Sequence, residues 1–165
     1  AHVSMTEIGE GELQVRQGSE FYHSGALFHG PQLQAITEVL QFDDQGLSCR
    51  YRLPDAASSE DRALIQQDAL LQAMLIWARL KYDAASLPSS LATLWQNALL
   101  PENDTGLIRL QVTKHSSRQL SADLALFNAE GQLQTGLENA KVTISKGLNA
   151  AFEPAKAATG NRERP

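Results

Sequence analysis

Asp68 and Gln72 are the two polar side chains whose position asks for a chemical explanation. They lie in Gln66-Gln67-Asp68-Ala69-Leu70-Leu71-Gln72-Ala73-Met74-Leu75-Ile76-Trp77-Ala78, where Gln72 alone is polar between Ala69 and Ala78. At ~100° per residue, Leu64, Leu71 and Leu75 fall on one side of a helix and Leu70, Met74 and Trp77 on the other. A helix that is apolar all round is a buried helix. The spacing of four puts Asp68 and Gln72 on one face, one turn apart. A charge taken into such surroundings is costly unless it is paired or neutralised. Two readings follow. Asp68 is a helix-start carboxylate held by backbone N–H groups, or it is a general acid within hydrogen-bond reach of a substrate. In the second reading Gln72 holds the carboxyl without adding charge.

The other reactive residue types offer less. Cys49 lies in Gly46-Leu47-Ser48-Cys49-Arg50-Tyr51-Arg52-Leu53, where alternation puts Leu47, Cys49, Tyr51 and Leu53 on one strand face. That pattern favours a small core thiol over a nucleophile. The histidines are His2, His23, His29 and His115. None has metal-ligand spacing. His115 is expected in a turn and His2 in a disordered start. His29 precedes Gly30-Pro31 and is placed at the rim of a pocket, with a substitute base as the less favoured role. Gly25 and Gly30 belong to no phosphate-binding loop, and no Gly-x-Ser-x-Gly elbow occurs. Met74 and Trp77, at helical spacing, read as core.

At 165 residues with net charge −5 the chain suits one domain and argues against nucleic acid. The longest apolar run, Ala69 to Ala78, is far short of the ~20 residues that span a bilayer, so no membrane is implied. No signal peptide is read at the start. A single cysteine permits no internal disulfide and suits a reducing cytoplasm.

These residues need elements to hold them. A strand is expected over Glu12–Gln17 through Leu13 and Val15, then a turn of helix within Phe21–Leu27, and a break at Gly30-Pro31. Leu33–Phe42 is a strand or a short helix leading into one, Asp43-Asp44-Gln45-Gly46 is a hairpin turn, and Leu47–Leu53 is the partner strand. Ser58 and Asp61 have capping-box spacing, and the helix they open runs to about Tyr82. Ser86-Leu87-Pro88 is extended, with Leu91, Leu94 and Trp95 apolar after it. Alternation marks strands at Leu107–Thr113, Leu120–Phe127 and Leu133–Ile144, with a second hairpin turn at Asn128-Ala129-Glu130-Gly131. Residues 1–152 form the domain, and Glu153 to Pro165 is a disordered tail or linker. The class is α+β: an antiparallel sheet curled around one long buried helix.

Several segments resemble one family. Phe28-His29-Gly30-Pro31-Gln32-Leu33-Gln34 resembles the Tyr-Gly-Pro-x-Phe-Gln segment in the second hotdog of polyketide and fatty acid synthase dehydratase domains. Asp68-Ala69-Leu70-Leu71-Gln72 resembles their Asp-Ala-x-x-Gln motif, and Leu87-Pro88 their Leu-Pro after the helix. Leu124 to Leu133 looks like the closing hairpin. Lys141-Val142-Thr143-Ile144-Ser145-Lys146 looks most like the end of a bacterial polyunsaturated fatty acid synthase subunit.

The resemblance implies the hotdog fold and a dehydratase-like role on carrier-bound 3-hydroxyacyl thioesters. In this family a His from the first half, in a His-x-x-x-Gly-x-x-x-x-Pro segment, removes the α-proton. The Asp of the second half helps the hydroxyl leave as water. Asp68 matches that Asp, Gln72 its orienting partner, and His29, Gly30 and Pro31 the pocket segment. No His-x-x-x-Gly-x-x-x-x-Pro segment occurs here, so the chain resembles the C-terminal half and lacks the base. No cofactor is implied beyond the phosphopantetheine arm of a carrier domain. The implied partners are an acyl carrier protein domain, other synthase domains, a preceding hotdog half, or a second copy in a homodimer. Arg50 and Arg52 alternate outward from their strand and read as solvated, with contact to an acidic carrier protein as the less favoured role. The alternatives are a non-catalytic acyl-binding or structural domain and a hotdog thioesterase.

Overall fold

The apolar run from Ala69 to Ala78 is the inner part of one 24-residue helix, α2 (Ser59–Tyr82). It carries good helix formers throughout, and Arg79 and Lys81 in its last turn complement the helix dipole. The computed structural model describes residues 16–23, 34–54, 59–90, 93–96 and 105–149. Before α2 come β1 (Arg16–Gln17), α1 (Gly18–His23), β2 (Ile36–Asp43) and β3 (Gly46–Arg52). After it come β4 (Ala85–Ser90), β5 (Thr93–Gln96), β6 (Thr105–His115), β7 (Gln119–Asn128) and β8 (Leu133–Ser145). Of the strand expected over Glu12–Gln17, Arg16 and Gln17 form β1 and the rest lies outside the described residues, as do Ser58 of the capping box, Leu91 and the tail from Glu153.

The strands form one sheet in the order β1-β2-β3-β6-β7-β8-β4, with β5 also paired to β8. Every pairing is antiparallel. The sheet curls around α2, which touches β2, β3, β4, β6, β7 and β8. Leu70, Ala73, Met74, Ile76, Trp77 and Ala78 are all fully buried, so the helix is covered on every side. This is the hotdog arrangement. Strand alternation supplies the matching lining: Leu47, Cys49, Tyr51, Ile108, Leu110, Leu120, Ala122, Leu124 and Leu126 all join the core.

The turns close as their residue types dictate. Asp43 Oδ1 accepts from the backbone N–H groups of Gln45 (2.8 Å) and Gly46 (2.9 Å), joining β2 to β3. Asn128 Oδ1 does the same for Glu130 (3.0 Å) and Gln132 (2.8 Å), with Gly131 at φ 78. Trp77 is fully buried, yet its indole N–H donates to the Asp43 carbonyl at 2.9 Å. That bond ties α2 to the first hairpin. Pro88 lacks an N–H and confines β4 to the sheet edge.

Four expectations are corrected. More strands follow the helix than the three or four expected, because β4 and β5 are short pieces that share β8 as partner. His115 ends β6 rather than sitting in a turn. Its ring meets Trp77 edge-on at 5.2 Å and its Nδ1 pairs with the Tyr82 hydroxyl. Leu94, read as apolar after the extended segment, is exposed, while the indole of its neighbour Trp95 covers Gly136, where any Cβ would collide with the ring. Leu64 is 63% exposed although the next residues, Ile65 and Gln66, pack against the core and β8, so the face assigned from spacing is solvated at its start.

The contrast along α2 is measurable. Trp77→Ala should cost about 3–5 kcal/mol, whereas Leu64→Ala should change stability by less than ~0.5 kcal/mol. Urea unfolding of both variants checks this, and a large loss for Leu64→Ala would place that end of the helix inside the core.

Candidate active site

The face of α2 that carries Asp68 passes from solvent to core in two turns. Leu64 is exposed, Asp68 is half-buried, and Gln72 has no exposed surface. The carboxyl therefore sits at the boundary between solvent and core, with the amide behind it. Gln72 Nε2 donates to Asp68 Oδ2 at 2.7 Å. A primary amide with no water contact must have its polar atoms paired inside the protein.

The partner on the other side of Gln72 is Tyr22, from α1. Its hydroxyl donates to Gln72 Oε1 at 2.5 Å. The same hydroxyl oxygen accepts the backbone N–H of Ile36 at 3.0 Å. Three elements thus meet: α1 supplies Tyr22, the start of β2 supplies the N–H, and α2 supplies Gln72 and Asp68. Phe21, buried in the core, pins the short helix that presents Tyr22. Burial pushes the Tyr22 phenol well above its ordinary value. The Ile36 N–H opposes this, and the nearby Asp68 carboxyl adds to it. Tyr22 therefore stays an O–H donor across the whole working range of pH.

A second polar group lies on α2 just before Asp68. Gln66 Nε2 donates to Gln134 Oε1 at 2.9 Å, Gln96 Nε2 to Gln66 Oε1 at 3.3 Å, and Gln67 Nε2 to Gln96 Oε1 at 3.3 Å. Gln66 and Gln134 are buried. These amides join the start of α2 to β5 and β8 without any charge.

The spacing of Asp68 and Gln72 predicts that they share a face, and the structure brings them into direct contact. His29, Gly30 and Pro31 lie outside the described residues. Tyr22 was missed. Its segment has mixed character and no periodicity, and its one signal is an aromatic side chain with a polar end beside an apolar Phe. Cys49 is fully buried and its thiol is pushed up to about 12 by burial, as expected of a core residue. Arg50 and Arg52 face outward, and Arg50 lies 3.5 Å from Glu38. Among the described residues no three His, Cys, Asp or Glu side chains are grouped to hold a metal. No described helix is long and apolar enough to cross a membrane.

A sheet of this order wound on one buried helix, with an acid and an amide at its boundary with solvent, defines a hotdog domain. Its solved neighbours are dehydratase domains. That of RzxB from Pseudomonas fluorescens superposes with a TM-score of 0.68 at 19% identity over 86% of this chain and 54% of that one. That of the CurJ module of curacin polyketide synthase gives 0.66 at 17% identity over 84% and 51%. Residues 2–149 match the family described as the polyketide synthase dehydratase N-terminal domain, and the chain belongs to that family. It is also similar to a polyunsaturated fatty acid synthase subunit of Thraustochytrium sp., with 31% identity over 127 residues. That match covers 70% of this chain and 4% of the relative. The chain thus spans about half of the solved dehydratase structures and a small part of the Thraustochytrium protein.

The thiol offers a test with a definite sign. An unfolded Cys titrates near ~8.5, and Cys49 is held at about 12. The folded protein keeps its proton through that window while the unfolded chain loses it. The contribution to stability is complete below ~8.5 and falls as pH rises towards the folded value. Iodoacetamide at pH 8 should leave native Cys49 unmodified and label it readily in denaturant. Equal rates in both states would show an accessible thiolate.

Proposed function

We propose that this domain supplies the acid of a dehydration reaction on carrier-bound 3-hydroxyacyl thioesters, as the second, C-terminal hotdog half of a dehydratase. The observation that carries the reading is the 2.7 Å bond from Gln72 to Asp68 where the helix face passes from solvent to core. Family membership favours dehydration over thioester hydrolysis and over a purely structural role. The placement in the second half is supported by the Asp68–Gln72 pair and by the lack of a His-x-x-x-Gly-x-x-x-x-Pro segment in the sequence. The family description, which speaks of an N-terminal domain, does not supply that placement.

In the proposed reaction a His from a partner half removes the α-proton of the thioester. The Asp68 carboxyl gives a proton to the 3-hydroxyl, the C–O bond breaks, and water leaves as the double bond forms between the α and β carbons. The electron pair of the broken C–H bond becomes the new π bond, so proton transfers suffice and no metal or redox cofactor is called for. The acyl group arrives on the phosphopantetheine arm of an acyl carrier protein domain. A polyunsaturated fatty acid synthase is the proposed setting, supported by the Thraustochytrium relative. The bacterial source expected from Lys141 to Lys146 is a proposal on those residues alone. Other synthase domains, a preceding hotdog half or a second copy are the proposed partners, in a cytoplasm that keeps Cys49 reduced.

Asp68→Asn keeps shape and hydrogen bonding but removes the transferable proton. In the complete synthase it should abolish dehydration while the melting temperature stays unchanged or rises. The isolated chain, lacking the base, should turn over a 3-hydroxyacyl thioester poorly or not at all. Wild-type product from the Asn variant would overturn the catalytic reading. Turnover by the isolated chain at ~1–10³ per second would overturn the division of acid and base between halves.

A further inference from the structure

The three hydrogen bonds made by Tyr22 and Gln72 have a fixed direction, and the direction starts from the backbone. The Ile36 N–H can only donate, so the Tyr22 oxygen must accept there, at 3.0 Å. The phenol has one O–H, which is left to donate to Gln72 at 2.5 Å. An O–H needs an acceptor, so Oε1 of Gln72 faces Tyr22 and Nε2 faces Asp68, at 2.7 Å. We propose that Tyr22 is a positioning residue for Asp68: by fixing the orientation of the Gln72 amide, it keeps Asp68 Oδ2 as an acceptor, so that the amide does not retain the transferable proton. This rests on the reading of Asp68 as the acid.

The chemistry explains why the orientation matters. A primary amide can turn over and exchange its oxygen for its nitrogen with little change in shape. With Oε1 towards Asp68, the favourable partner is a protonated Oδ2. The carboxyl proton would then be held by Gln72 instead of offered to the substrate. Tyr22 prevents this because its phenol, raised by burial, does not ionise at working pH and so keeps its proton for Gln72. A merely structural tyrosine would serve through its bond to the Ile36 N–H, so its loss to Phe would lower stability without a kcat effect that depends on Gln72.

The test is a double-mutant cycle in the complete synthase, with Asp68→Asn as reference. Tyr22→Phe should lower kcat by about tenfold at unchanged KM, a part of the ~10²–10⁴-fold that a general acid supplies. In a Gln72→Ala background Tyr22→Phe should add nothing, because Tyr22 acts through the amide. A second reading needs no variant: in the ¹⁵N-labelled 165-residue chain, the Gln72 side-chain amide should give one well-resolved pair of slowly exchanging protons. Wild-type kcat for Tyr22→Phe, or an equal loss in both backgrounds, overturns the proposal while an inactive Asp68→Asn leaves the dehydratase reading standing. Solvent-rate exchange of the Gln72 amide overturns it as well. An active Asp68→Asn overturns the reading and the proposal together, and is told apart by that variant alone.

Discussion

The burial of α2 on all sides is the constraint from which the rest follows. A helix apolar over its whole circumference has no solvated face, and a flat sheet can cover only one side of it. The sheet must therefore curl, and its strands must each present an apolar row inward. The inward rows of β3, β6 and β7 do this. Stability comes from the apolar surface removed from water, at roughly 25 cal/mol per Å², with the hairpin turns and the Trp77 bond to Asp43 fixing how helix and sheet meet.

Such a helix makes any polar side chain on it conspicuous. Gln72 can be buried because both ends of its amide are matched, one by Tyr22 and one by Asp68. Removing either partner would leave a buried polar atom without its bond, at about 1–3 kcal/mol. The same satisfaction that makes the amide tolerable in the core also holds the carboxyl in one orientation. One set of hydrogen bonds thus serves the fold and, in the proposed reaction, the placement of Asp68, and a neutral amide suits both tasks.

Much of this was legible in the residue pattern. The helix stood out because Ala69 to Ala78 is nearly unbroken, and the hairpins because Asp43 and Asn128 are side chains that cap their own turns. Asp68 and Gln72 were legible because polarity inside an apolar run is rare. Tyr22 was not, because its role depends on α1 meeting α2 across fifty positions of sequence, which local spacing does not encode. Leu64 misled for a related reason. Periodicity assigns a residue to a face of the helix, but how far the sheet reaches along that face is a tertiary property. His115 likewise shows no sign in sequence of the Trp77 and Tyr82 rings that receive it.

The two ends of α2 are secured by different physics. At the far end Lys81 meets Asp44 in an exposed ion pair and Arg79 lies 3.6 Å from Asp83, which caps the helix at φ 50. Near Asp68 the ties to β5 and β8 are glutamine amides bonded to one another, with no net charge among them. Dissolved salt screens exposed charges and leaves neutral amide pairs largely alone. Ionic strength thus weakens the Lys81–Asp44 pair and leaves the glutamine contacts beside Asp68 in place, so these two sets of ties answer differently to the ionic environment.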